Sequence, residues 1–295
     1  MNEFHNKNKS QIANLPIGIF DSGVGGLTVY RALHNRLPSE RFIYLGDTAR
    51  VPYGTKSLAT VERYAIENSQ FLAERGIKLL VVACNTASAL ALPKIRAQIG
   101  IDVVGVIGPG ARKAVAVTQS EKNPKIGVIA TEATVSSNAY AVSIKQASEA
   151  AEVLQIACPL FVPLAEENWT QETETFSIAK KYLNKIIEFA PNALVLGCTH
   201  YPILREVIQQ TVGFNVTLID SGEATAEEVE KLLREKGLAN TKQISYNGGR
   251  RLCDDLDHFY VTDAAERFAR VAERFLGSQP AKLEAIEVFG IDKLK

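Results

Sequence analysis

From position 16 onward, short apolar runs alternate along the chain with longer stretches in which apolar residues recur at helical spacing. The short runs at 17–20, 42–46, 78–83, 103–107, 125–130, 153–157, 193–197 and 216–220 predict strands. Helices are predicted between them at 27–36, 58–75, 87–99 and 175–189, and again at 224–236 and 264–276. Alternation of this kind predicts an α/β fold, with parallel sheets flanked by helices.

A weak internal repeat adds a second level of order. Ile17-Gly18-Ile19-Phe20-Asp21-Ser22 resembles Ile126-Gly127-Val128-Ile129-Ala130-Thr131. A cysteine follows each segment at a similar interval, at 84 after Gly18 and at 198 after Gly127. The expectation is two similar domains related by a pseudo-twofold, each delivering a cysteine from an equivalent strand. Ligands of open α/β sheets bind beyond the C-terminal strand ends. Two copies with those edges opposed would form one interdomain cleft.

Composition narrows the class. A chain of 295 residues accommodates two domains, and 46% hydrophobic with 22% charged residues sets disorder aside. Lys+Arg and Asp+Glu balance at 33 each, so no electrostatic footprint for nucleic acid or a membrane surface is expected. Arg250-Arg251 is an isolated basic pair and reads as surface. The apolar run 79–83 is far too short to span a bilayer. Residues 1–15 are polar, lack the apolar core of a signal peptide and read as a loosely ordered extension. Four cysteines without a C-x-x-C pair point to free thiols in a reducing cytoplasm, and away from zinc ribbons or other metal sites.

The candidate chemistry centres on Leu80-Val81-Val82-Ala83-Cys84-Asn85-Thr86 and Leu194-Val195-Leu196-Gly197-Cys198-Thr199-His200. Each thiol is placed at a strand exit and a helix entrance, where the helix terminus favours a thiolate near neutral pH. Two such thiols flanking one carbon could remove a proton from one face and return it to the other. Cys84 alone could be a small buried residue beside a cap, but Cys198 has His200 two positions away, able to exchange protons at neutral pH. Cys158 and Cys253 lack such neighbours and are assigned to structure.

Asp21-Ser22-Gly23-Val24-Gly25-Gly26-Leu27-Thr28 follows the first predicted strand, and Asp21 could orient a neighbouring base. A dinucleotide fingerprint would want glycine where Thr28 stands; with Asp47 as ribose-binding acid, a nicotinamide-dependent dehydrogenase stays open. Glu166-Glu167 ends the strand-like stretch 161–165 and is either a solvated loop or an acid serving the second thiol. In the turn Val51-Pro52-Tyr53-Gly54, Tyr53 could pack, while the N–H groups of Tyr53 and Gly54 could receive a carboxylate. An α-proton is far less acidic than a thiol of pKa about 8.5, so donors are also needed, and Ser22, Asn85, Thr86 and Thr199 can supply them.

These segments together resemble the glutamate racemases, which supply D-glutamate for bacterial peptidoglycan. The resemblance runs from about Pro16 to Gly277. It is carried by Phe20 through Thr28, Asp47 through Gly54, Cys84-Asn85-Thr86-Ala87 and Gly197-Cys198-Thr199-His200-Tyr201-Pro202, with Pro159 through Glu166 and Phe259-Tyr260-Val261-Thr262 as further segments. It implies Cys84 and Cys198 as the acid/base pair, Asp21 supporting Cys84, and His200 with Glu166 supporting Cys198. It implies substrate contacts at Asp21, Ser22, Tyr53, Gly54, Asn85, Thr86, Thr199 and His200, glutamate as substrate, and no cofactor. It also implies an inserted domain, 110–220, within a discontinuous one, 16–109 and 221–295. A homodimer is the default expectation. Three rivals stay open: a two-cysteine isomerase of aspartate or another small acid, a binding protein that closes on an anion without chemistry, and a pyridoxal-phosphate racemase, for which no lysine stands out as anchor.

Overall fold

A computed structural model describes residues 9–241 and 250–288. Among the described residues, ten strands fall into two sheets. The larger is built from β1 (Ile17–Asp21), β2 (Phe42–Gly46), β3 (Leu79–Val82), β4 (Asp102–Gly105), β9 (His258–Val261) and β10 (Leu283–Ala285), in the order β10-β9-β2-β1-β3-β4. The smaller holds β5 (Lys125–Ala130), β6 (Glu152–Ala157), β7 (Ala193–Gly197) and β8 (Thr217–Asp220), in the order β6-β5-β7-β8. Every pairing is parallel. Helices cover the faces, so central strands are buried on both sides: all of β1, β3 and β7 is out of solvent. Burying each such Val, Leu, Ile or Phe contributes about 1.5–3 kcal/mol, which places the stabilising core at the middle of each sheet.

The chain leaves the larger sheet after β4 through helix Ile107–Val117 and returns after β8 through helix Ser221–Lys236. These two helices pack together, and Lys113 pairs with Glu227 at 2.9 Å. Asp220 caps the returning helix by accepting from the N–H groups of Gly222 (2.7 Å) and Glu223 (3.3 Å), so it starts earlier than the expected 224.

Several expectations change. The helix expected at 87–99 is two helices, Asn85–Leu90 and Leu92–Gln98, because Pro93 has no N–H to continue the first ladder. The strand-like stretch before Glu166 is a helix, Phe161–Glu166, whose proline sits in the first turn. The extension is not loose at its inner end: after a short helix, Lys9–Ala13, the Ala13 carbonyl accepts from buried Lys78 at 2.7 Å, which also pairs with Glu40 at 2.6 Å. Residues 1–8 lie outside the described residues. Arg250 is not a surface residue. Its side chain is 2% exposed and bound by Asp254 and Asp257. No described helix is long and apolar enough to cross a membrane. All four cysteines are free and buried, as expected of Cys158 and Cys253.

Candidate active site

Asp21 ends β1, Cys84 follows the adjacent β3, and Cys198 follows β7 at the middle of the smaller sheet. The C-terminal edges of the two sheets meet there. Thr28 Oγ1 donates to the Thr199 carbonyl at 2.8 Å, the hydroxyls of Thr86 and Thr131 lie 3.0 Å apart, and Tyr140 donates to Asn85 Oδ1 at 2.7 Å. Gly25 shows how close the approach is: a Cβ there would fall 2.3 Å from Thr199 Oγ1 and 2.5 Å from the His200 ring. Only glycine lets the loop after β1 lie on the turn that carries the second thiol.

Cys84 is 6% exposed and accepts from the Ala87 N–H at 3.5 Å as the cap of a six-residue helix. Its thiol is pushed up to about 12, first by burial and then by the charge of Asp21; hydrogen bonds from Ser22 and Ala87 offset part of this, and the charge of Cys198 adds to it. The expected thiolate at a helix terminus therefore does not hold for Cys84. A short buried helix cannot compensate for the lost hydration and a neighbouring carboxylate. Asp21 is fully buried and its carboxyl is raised by that burial, with the Gly26 hydrogen bond and the charge of His200 acting the other way. Asp21 Oδ2 accepts from Gly23 N at 2.9 Å, whereas Oδ1 has no partner.

Cys198, also 6% exposed, precedes a turn and a 3-10 segment, Tyr201–Leu204; the α-helix expected directly behind it begins only at Arg205. Its local partner is His200, with Nδ1 3.8 Å from Sγ and Nε2 3.1 Å from Glu166 Oε1. Burial works against the imidazolium, but the hydrogen bonds and negative charges of Cys198 and Glu166 prevail and raise its pKa to about 10. Burial likewise opposes the Glu166 charge, yet His200 and Arg267 hold its carboxyl below its ordinary range. Arg267 reaches Glu166 Oε2 at 2.9 Å and Arg274 reaches its carbonyl at 2.8 Å, both from helix Ala265–Leu276.

The structure thus brings together Asp21, Ser22, Cys84, Asn85, Thr86, Cys198, Thr199, His200 and Glu166. Gly54 joins them by packing against Thr131. The Tyr53 phenol turns away and donates to Asp47. Asp47 is saturated: it also accepts from Arg50 (2.8 Å), Asn68 (3.0 Å) and Thr262 (3.0 Å) with no exposure, so it braces the Tyr53–Gly54 turn and is not a ribose ligand. Among the described residues no group of three or more His, Cys, Asp or Glu could hold a metal ion. Residues singled out only by the structure are Thr131 and Thr134, whose hydroxyls lie 3.0 Å apart, and Tyr140 and Arg267. The internal repeat did carry a signal for Thr131, which occupies the position equivalent to Ser22.

The chain belongs to the Asp/Glu/Hydantoin racemase family, whose sequence profile matches residues 17–229. It is by class an isomerase. Its similarity is to the glutamate racemases within that family: it is 52% identical to the glutamate racemase of Geobacter metallireducens over 263 residues, covering 89% of this chain and 93% of that one. Among solved structures, glutamate racemase from Bacillus anthracis superposes with a TM-score of 0.85 at 36% identity, covering 94% of this chain and 98% of the other. The Francisella tularensis glutamate racemase in complex with D-glutamate gives 0.82 at 38% identity, with the same coverage.

Proposed function

We propose that the protein interconverts L- and D-glutamate without a cofactor, with Cys84 and Cys198 as the two acid/base residues. The observation that supports this is the meeting of the two sheet edges, which brings the ends of β1 and β3, with Asp21 and Cys84, toward the turn that carries Cys198 and His200. For one hand of substrate, Cys198 takes the α-proton while the imidazolium of His200 offsets the charge on its sulfur. Cys84, whose proton burial holds in place, then gives that proton to the opposite face of the carbanion. The other hand of substrate exchanges the roles. Asp21 Oδ1 is suited to the substrate ammonium group, and Asn85 Nδ2, also buried without a partner, to a carboxylate. The hydroxyls of Thr86, Thr131 and Thr134 suit the second carboxylate of a diacid, and the D-glutamate complex of the Francisella tularensis relative supports glutamate as that diacid.

The same reading divides the chain into 16–109 with 221–295, and 110–220, crossing near Pro109 and Ser221. It places the enzyme in the cytoplasm, with D-glutamate passing to peptidoglycan and a homodimer as the assembly. The test is incubation of L-glutamate in deuterated water without added cofactor, followed by chiral analysis. D-Glutamate carrying deuterium at the α-carbon is expected. Absence of exchange, or faster turnover of aspartate, would overturn the reading.

Glu166→Gln removes the anion behind His200. The imidazolium loses its proton as pH rises through about 10, so the alkaline limb of the rate profile is expected to move to lower pH in this variant. A limb unmoved between wild type and variant would remove Glu166 from the role assigned to it.

A further inference from the structure

We propose that Tyr140 is a positioning residue that locks the Asn85 amide so that Nδ2, and not Oδ1, faces the substrate; this rests on the reading of Asn85 as a carboxylate contact. A primary amide can present either end to a ligand, and only the NH₂ end attracts a carboxylate. The Tyr140 hydroxyl occupies Oδ1 at 2.7 Å, while Asn85 Nδ2 is buried with no partner. An unsatisfied buried donor is costly unless a ligand completes it, so the arrangement stores a donor for the substrate.

Tyr140 is itself held firmly. It lies on helix Ala139–Ala147, fully buried, and its ring fills a slot beside Gly197, where a Cβ would stand 3.0 Å from Tyr140 Cε2. Gly197 directly precedes Cys198. One tyrosine therefore touches the backbone beside the second thiol and reaches across to orient the residue after the first. Its phenol takes no part in proton transfer to the substrate; it acts through Asn85.

Tyr140→Phe keeps the ring and removes the hydroxyl. With the wild type racemising glutamate, this variant is expected to raise KM by about tenfold, the effect of one buried hydrogen bond, with kcat within about twofold. Asn85→Ala should raise KM further, and adding Tyr140→Phe to it should change nothing more. Asn85→Asp supplies an independent check: it keeps the acceptor for Tyr140 but replaces the donor, so KM should rise even where Tyr140→Phe fails to fold. A wild-type KM in Asn85→Asp, additive effects of Tyr140→Phe and Asn85→Ala, or a fall in kcat at constant KM would overturn the proposal. Lack of racemisation by the wild type would instead sink the functional reading beneath it.

Discussion

Cys84→Ser and Cys198→Ser are each expected to lower racemisation in both directions by at least about 10³-fold, within the range that a positioned acid or base contributes. A serine hydroxyl is isosteric enough to keep the fold but far too weakly acidic to exchange the proton. The two variants should nevertheless differ. With Cys84 replaced, Cys198 can still withdraw the α-proton from the enantiomer whose hydrogen faces it, so solvent deuterium should enter that enantiomer only. Cys198→Ser should show the opposite preference, and more weakly, because the Cys84 thiol is pushed up to about 12 by burial and the charge of Asp21 and is seldom a thiolate. Proton NMR of each glutamate enantiomer in deuterated buffer reads this directly. Wild-type turnover in either variant, or exchange into both enantiomers by a single remaining thiol, would refute the two-sided mechanism.

Arg250→Ala is expected to destabilise the protein by about 3–5 kcal/mol, the loss typical of breaking a buried ion pair from one side. Its guanidinium binds Asp254 at 2.9 Å and Asp257, and donates to the Glu40 carbonyl, almost without exposure. Asp257 also accepts from Tyr30 and the Phe42 N–H, each at 2.8 Å, so that edge of the larger sheet depends on it. Burial raises its pKa to about 6, although Arg250 and these hydrogen bonds act to lower it. Without Arg250 the folded-state pKa rises further above the unfolded value, and the folded protein then binds the extra proton. Stability of the variant should therefore fall as pH climbs from about 6 to 8, more steeply than in the wild type. Urea unfolding at both pH values measures this. Exposed Arg251→Ala is the control and should stay within about 0.5 kcal/mol. A loss equal to that control would show the ion pairs to be inconsequential.

That pair of arginines shows where sequence reading stops. Two adjacent arginines look alike in a pattern, and only tertiary contacts decide that one is enclosed by two carboxylates. The eight strands expected from apolar runs are all present; β3 and β7 are apolar throughout, and β1 as far as Asp21, because they are buried on both faces, whereas β6 is an edge strand that is only half-buried. β9 and β10 escaped for the complementary reason: β9 alternates buried with half-buried positions over four residues, and β10 is three residues long and mostly exposed. At the candidate site, both thiols and Asp21 were legible because each sits at or just past a strand end, and His200 because it stands two residues from Cys198. Glu166 was legible as an acid but not as the end of a helix, since Phe161-Val162-Pro163-Leu164 has no helical period to read. Nothing local marks Arg267, which lies far along the chain from the glutamate it holds.

The order of strands has a consequence for synthesis on the ribosome. β2 waits for its outer neighbour β9, whose first residue is His258, while the whole four-stranded sheet emerges in between. Until then the nascent protein carries an open, apolar strand edge next to β1, the hazard that unpaired edges present to neighbouring chains. Pairing of β2 with β9 therefore waits for the whole smaller sheet to be made, and so does the hold on Glu166, because the arginines that grip it lie on helix Ala265–Leu276, just beyond β9 in the chain.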